Sequence, residues 1–267
     1  MNILEKITAE KRKEVAERQS MTPVKKLEKS IYFETSTVSL KKYIQRPDKI
    51  GLIAEYKRKS PSKGVINANA SVERTSIGYM QSGASGLSVL TDGPFFGGKS
   101  EDLITARNYN FCPILRKDFI IDEYQIIEAK SIGADVILLI AAILDRSEIQ
   151  RLSSFAKSLG LEVLLEVHNQ TELEKSIMPT LDLLGVNNRD LTSFHTDVQT
   201  SKNLAEKIPA DFIKVSESGI NDPSTVIELM QYGYEGFLIG EYFMQHGRPE
   251  SACREFVKKV KKLNQSK

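Results

Sequence analysis

SIGADVILLI, residues 131–140, reads as the last turn of one helix and the strand that follows it. A glycine stops the helix in the left-handed conformation that L side chains avoid, and a β-branched and leucine-rich run then enters a sheet covered on both faces. The phrase returns as SGASGL (82–87), SLGLEVL (158–164) and QYGYEGF (231–237). Working outward from these, eight short apolar runs stand out: Gly51–Tyr56, Gly86–Leu90, Pro113–Arg116, Val136–Ala141, Glu162–Val167, Leu183–Asn187, Phe212–Val215 and Gly236–Ile239. Helical segments alternate with them, over Val72–Ser82, Glu101–Asn108, Asp122–Ile132, Ser147–Leu159, Gln170–Ser176, Val198–Ile208, Pro223–Gln231 and Ala252–Leu263. Right-handed crossovers leave a closed barrel or an open doubly wound sheet. Unit count and even spacing favour the barrel, and no Gly-rich dinucleotide fingerprint follows the first run. The expected class is α/β, a (β/α)8 TIM barrel over residues 50–267.

Residues 1–49 carry no strand signal and form an expected helical extension of that barrel, the whole making one structural domain. Ile3, Leu4, Ile7 and Val15 recur at roughly helical spacing. Thr22-Pro23 reads as an N-cap with proline at the first helical position, opening Val24–Lys29, and Ser39 as the cap of Leu40–Gln45 before Arg46-Pro47 breaks the helix.

Composition narrows the function. With 40% hydrophobic residues in 267, the chain can build a large core, which excludes global disorder. A net charge of +2 gives no ground for nucleic acid or an anionic membrane as partner. The basic runs Lys11-Arg12-Lys13 and Lys258-Lys259 read as solvated helix faces that steer an anionic substrate weakly. Two distant cysteines and three histidines show no metal-ligand spacing, so no metal is expected, and Cys112 reads as a buried structural thiol. This cysteine usage fits a reducing cytosol. The N-terminal stretch has no long apolar core, so neither a signal peptide nor a membrane span is expected, and the expected location is cytoplasmic.

In such barrels the chemistry sits at the C-terminal ends of the strands. The first run ends Glu55-Tyr56-Lys57, and alternation places Glu55 and Lys57 on one face; an active-site pair and an interior salt bridge are both open readings. Lys117 stands at the mouth after the third run. Glu166 ends an otherwise apolar run, so its carboxylate needs a partner or a raised pKa. Asn187 offers a neutral hydrogen-bonding group and Arg189 a planar anion clamp. After the seventh and eighth runs, Ser218-Gly219 and Gly240-Glu241 leave backbone N–H groups free to meet one anion, as in barrels that hold a phosphate there. No nucleophilic Ser/His or Cys/His set is evident. The mixture suits acid–base chemistry on a sugar phosphate that also carries a carboxylate.

The phrases IAEYKRKSPSKG (53–64), SVLTDGPFFGG (88–98), ILRKDFIID (114–122), LLEVH (164–168), GVNNRDL (185–191), SESGI (216–220) and FLIGEYFM (237–244) together resemble the indole-3-glycerol phosphate synthase family of tryptophan biosynthesis. EYKRKSPS and NNRDL are the most specific; SESGI and LIGE recur in other phosphate-binding barrels. The resemblance implies ring closure, decarboxylation and dehydration of 1-(o-carboxyphenylamino)-1-deoxyribulose 5-phosphate to indole-3-glycerol phosphate. It implies Lys117 as general acid at the ketone, Glu166 as general base of the dehydration, and Asn187 and Glu55 as holders of the hydroxyls. Lys57 meets the substrate anions, phosphate included, and shares in proton transfer, while Ser60 and Arg189 support substrate and loop. Ser218, Gly219, Gly240 and Glu241 give backbone contacts to phosphate, with the Glu241 side chain pointing away. Phe96, Phe119, Leu138 and Leu191 form the apolar slot for the anilino ring, Leu138 having a plain core reading beside it. No cofactor is implied, because restored aromaticity drives the loss of CO₂. The chain departs from the family in having no Trp, and Gly93-Pro94 reads as a stiffener of the second loop. A monomer is the expected state, with room for assembly with other tryptophan-pathway enzymes. Another phosphate-binding barrel, such as phosphoribosylanthranilate isomerase, and a non-catalytic anion-binding subunit are the alternatives; the Glu-Tyr-Lys of the first strand and the helical extension speak against the former.

Overall fold

The computed structural model describes residues 3–191 and 193–265. Eight parallel strands, β1 (Leu52–Tyr56), β2 (Gly86–Leu90), β3 (Ile114–Lys117), β4 (Val136–Ile140), β5 (Glu162–Val167), β6 (Leu183–Asn187), β7 (Ile213–Glu217) and β8 (Gly236–Ile239), pair in chain order, and β8 closes on β1. The closing register sets Leu52 beside Phe237 and Ala54 beside Ile239. Helices α1 (Ile3–Met21), α2 (Val24–Leu27) and α3 (Leu40–Ile44) precede the barrel. Seven more each follow a strand: α4 (Val72–Gln81), α5 (Ser100–Tyr109), α6 (Glu123–Ser131), α7 (Arg146–Ser158), α8 (Gln170–Ser176), α9 (Gln199–Leu204) and α10 (Pro223–Gln231). After β8 come α11 (Glu241–Met244) and α12 (Pro249–Gln265). The TIM barrel expected from the sequence is present.

Gly83, Gly133, Gly160 and Gly233 of the repeated phrase have φ of 101°, 89°, 75° and 80°. An L side chain would be strained there, so each helix stops where the chain must turn back into the sheet. Strand periodicity then sorts the core into two layers. Leu52, Ala54, Val89, Leu139, Leu165 and Phe237 face the helices. Ile53, Leu115, Leu138, Leu164, Val215 and Leu238 fill the barrel.

Several boundaries differ from expectation. β3 reaches Lys117 and β7 reaches Glu217, because each gains ladder partners on its neighbour, Leu90 beside Lys117 and Asn187 beside Glu217. The segment read as one helix over Val198–Ile208 is α9 followed by a 3-10 turn, Ala205–Lys207. Ser39 caps α3 by accepting the Lys42 N–H, whereas Pro23 itself stands at the start of α2 with no side-chain cap, so Thr22 has not that role. The loop after β1 carries a small antiparallel ribbon, Lys59–Ser60 with Gly64–Val65.

Lys11 departs from the solvated face expected of its basic run: it is 2% exposed, whereas Arg12 and Lys13 are exposed. Its ammonium lies 2.7 Å from Glu14, 2.9 Å from Asp118 and 3.0 Å from Asp92. Asp118 continues to Arg116 at 3.2 Å, Arg116 to Glu128, Glu128 to Arg18 at 3.0 Å, and Arg18 back to Glu14. Charges of alternating sign thus close a circuit between α1, the ends of β2 and β3, and α6. An unpaired ammonium buried there would cost several kcal/mol. Burial alone would depress the Lys11 pKa; Asp118, Asp92 and Glu14 outweigh it and raise it. The circuit holds α1 across the barrel mouth.

Candidate active site

Five strands end in an inward polar side chain: Glu55 on β1, Lys117 on β3, Glu166 on β5, Asn187 on β6 and Glu217 on β7. Each lies two residues beyond an interior position, Ile53, Leu115, Leu164, Gly185 and Val215, so alternation aims them into the mouth. Lys117 is the centre. Its ammonium donates to Glu166 Oε2 at 2.8 Å and to Glu217 Oε2 at 2.6 Å. Burial alone would depress it, but Glu166, Glu217 and Glu55 outweigh burial and hold its pKa above the usual lysine range.

The two carboxylates beside Lys117 differ. Burial would raise Glu166, yet the Lys117 ammonium and His168 hold it below the ordinary range. Asn187 Nδ2 donates to its second oxygen at 3.2 Å, and His168 Nε2 stands 3.4 Å from that oxygen. The ring of His168 also meets Glu172 at 3.1 Å; burial would lower its pKa, but Glu166 and Glu172 raise it to about 10. Glu217 is pushed the other way, to about 7, by burial and by the negative charges of Glu166 and Glu55, against the pull of Lys117. Its Oε1 is buried with no hydrogen-bond partner, in space that a side chain on Gly185 would take: a Cβ there would stand 2.4 Å from it. Glu217 lies beyond the expected run Phe212–Val215 and His168 beyond Glu162–Val167, and neither is among the site residues expected from the sequence.

The expected pair on β1 is formed, Lys57 Nζ lying 2.8 Å from Glu55 Oε1. Two adjoining cavities meet at this pair and share Glu55, Lys57, Arg189 and Ser218 in their walls. The apolar one, of about 840 Å³ with open solvent at its mouth included, is walled by Phe96, Phe119, Leu138 and Leu191 with Leu4 and Ile7 of α1. The rings of Phe96 and Phe119 are 6.0 Å apart. Asp92 fixes the first of these, accepting the N–H groups of Phe95 at 2.8 Å and Phe96 at 3.1 Å, and Lys59 bonds Pro94 O at 2.7 Å, which ties down the Gly93-Pro94 loop. Ser60 is buried in the same wall, 3.4 Å from the Ser62 hydroxyl.

The polar cavity lies over Ser218, Gly219, Gly240 and Glu241. Ser218 and Gly219 have φ of 67° and 75°, so both stand in the left-handed region. A Cβ on Gly219 would meet Thr196 Cγ2 at 2.7 Å, and one on Gly240 would meet Glu55 Oε1 at 2.5 Å. The first N–H groups of α11 have no carbonyl partner within the helix. An anion fits this floor. Arg189 is spent differently from a free clamp: it bonds Ser62 and Thr196 at 3.1 Å and Glu241 at 3.0 Å, joining the loops after β1, β6 and β8. Glu241 is therefore turned to a cation and leaves its backbone to face the cavity.

Among the described residues, no group of three or more His, Cys, Asp or Glu is arranged to hold a metal ion, and no helix is long and apolar enough to cross a membrane. The pattern of the indole-3-glycerol phosphate synthase family matches residues 4–256. An indole-3-glycerol phosphate synthase of Bacteroides thetaiotaomicron is 46% identical over 97% of this chain and 99% of that protein. One of Caldanaerobacter subterraneus subsp. tengcongensis is 40% identical over 97% and 99%. Among solved structures, 3-hexulose-6-phosphate synthase from Salmonella typhimurium superposes with a TM-score of 0.62 at 14% identity, over 79% of this chain and 99% of that one, a likeness of fold.

Proposed function

The chain belongs to the indole-3-glycerol phosphate synthase family, and from that premise we propose how its mouth carries out the reaction. It is a carboxy-lyase of tryptophan biosynthesis, converting 1-(o-carboxyphenylamino)-1-deoxyribulose 5-phosphate to indole-3-glycerol phosphate, CO₂ and water. The observation that carries the assignment of roles is Lys117 held between two carboxylates of opposite pKa displacement in the wall of the apolar cavity, which the polar cavity adjoins at Glu55 and Lys57.

The anilino ring occupies the slot of Phe96, Phe119, Leu138 and Leu191, and the phosphate takes the N–H groups of Ser218, Gly219, Gly240 and Glu241. A substrate bound at both ends brings its ketone between them, beside Lys117. Lys117 gives a proton to the ketone oxygen as the ring carbon bearing the carboxylate attacks the ketone carbon. The bond to the carboxylate then breaks, and its electron pair restores the aromatic ring as CO₂ leaves. The new hydroxyl departs as water on taking a second proton, which Glu217, titrating near neutrality, can supply. Glu166, kept ionised, takes the carbon-bound proton that completes the indole, and its contact with Lys117 returns that proton to the ammonium. Exchange of carboxylate for CO₂ consumes one proton, which solvent replaces through Glu217. Lys57 meets the substrate carboxylate or phosphate, Glu55 and Asn187 orient hydroxyls, and Ser60 and Arg189 hold the surrounding loops.

The site is complete within one chain, α1 included, which supports a monomer as the working unit. The two buried, unpaired cysteines support a reducing cytoplasm. Incubation with the substrate, followed by indole fluorescence, tests the reading. Lys117→Ala and Glu166→Gln are each expected to lower kcat by roughly 10²–10⁴-fold with an unchanged circular-dichroism spectrum. Turnover at the wild-type rate in either variant refutes the assignment.

A further inference from the structure

We propose that Lys11, on the helix outside the barrel, is a positioning residue that builds the slot for the substrate's aryl ring by gathering Asp92 and Asp118 under one ammonium. This rests on the reading of the apolar cavity as that slot.

Asp92 follows β2 and Asp118 follows β3, and each governs one aromatic wall. Asp92 Oδ1 receives the N–H groups of Phe95 and Phe96. Asp118 Oδ1 receives the N–H of Phe119 at 2.8 Å and directly follows Lys117. Both carboxylates are buried, 0% and 2% exposed. Their other surroundings are unequal. Asp118 also has Arg116 at 3.2 Å and the Thr91 hydroxyl at 2.6 Å. Asp92 Oδ2 has no hydrogen-bond donor, and the ammonium of Lys11 at 3.0 Å balances its charge.

Without Lys11, Asp92 becomes a buried, uncompensated charge beside a second carboxylate, the situation proteins relieve by moving the loop or binding a proton. Movement of the loop after β2 displaces Phe96, and the six-ångström contact with Phe119 opens. The same loss frees the end of α1 that sets Leu4 and Ile7 in the slot. Lys117, Glu166 and Glu217 hold one another and do not depend on Lys11. The effect should therefore fall on capture of the aryl group.

The test is steady-state kinetics of Lys11→Met, Asp92→Asn and the double variant, with affinity for inorganic phosphate as a check on the polar cavity. Lys11→Met is expected to raise KM about tenfold or more while kcat changes by less than about threefold and phosphate affinity holds. In the double variant the substituted amide keeps its bonds to Phe95 and Phe96 without the charge, so KM should return to within about threefold of wild type. An unchanged KM in Lys11→Met overturns the proposal, as does a KM defect that Asp92→Asn leaves in place, which would mean that Lys11 only pins the helix. If Lys11→Met does not fold, the double variant decides alone: a KM near wild type supports the proposal and a KM about tenfold raised overturns it. Wild-type enzyme that makes no indole product refutes instead the underlying function.

Discussion

Glu217→Gln should make the protein more stable at neutral pH and a poorer catalyst. The wild-type carboxyl titrates near 7 against an ordinary 4.5 because it is buried among other carboxylates, with one oxygen unpartnered. Below about 4.5 it is protonated in both native and unfolded chains. Between 4.5 and 7 the native state keeps a proton the unfolded state has released, so wild-type stability falls as pH rises. Above 7 the group is ionised in both states and the loss is complete. At about 1.36 kcal/mol per pH unit the interval corresponds to about 3 kcal/mol. Glutamine cannot ionise, yet its carbonyl can still accept from Lys117. Urea unfolding of both proteins from pH 4.5 to 8 measures this. The stability difference, variant minus wild type, should grow by about 3 kcal/mol with rising pH, and kcat should drop by about a hundredfold. Parallel stability–pH curves would refute the claim that Glu217 is held protonated by its surroundings.

Gly219→Ala places a Cβ at φ 75° and 2.7 Å from Thr196 Cγ2, so it should destabilise by about 1–2 kcal/mol in chemical denaturation. It should also weaken inhibition by inorganic phosphate about tenfold, and unaltered phosphate affinity would separate this loop from anion binding. His168→Gln removes a ring held protonated to about pH 10 by Glu166 and Glu172. That raised pKa stabilises the native state fully below about 6.5 and is lost as pH climbs towards 10, so the variant should lose less stability than wild type between pH 7 and 9.5, by about 3 kcal/mol. Equal losses over that interval would show that the ring is neutral.

The fold was legible because its punctuation is local. Four glycines must stop four helices wherever the chain goes, and the apolar runs after them can only be covered strands. Glu55, Lys117, Glu166 and Asn187 were legible for a related reason: a charged or amide group closing an apolar run has few structural uses. Glu217 was hidden because Ser216 and Glu217 have little intrinsic strand preference, and only pairing with β6 and β8 on either side extends β7 through them. Lys11 was hidden because a lysine among lysines on a helix gives no sign of burial; Asp92 and Asp118 reach it from more than 80 positions away. The direction of the Arg189 donors to three loops is set by tertiary contacts with Ser62, Thr196 and Glu241, which spacing along the chain does not show.

The circuit of Glu14, Lys11, Asp118, Arg116, Glu128 and Arg18 imposes a rule of inheritance. Reversing one member puts like charges against both of its neighbours at once, and reversing two adjacent members only moves the clashes to the ends of the pair, so drift at these positions must proceed by removing an acid and a base together. A descendant that loses α1 forfeits three members together and leaves Asp118, Arg116 and Glu128 with a net negative charge, alongside Asp92. Such a lineage would have to neutralise an acidic residue at the ends of β2 or β3, and the trace of a vanished helix would then be readable in a strand it once touched.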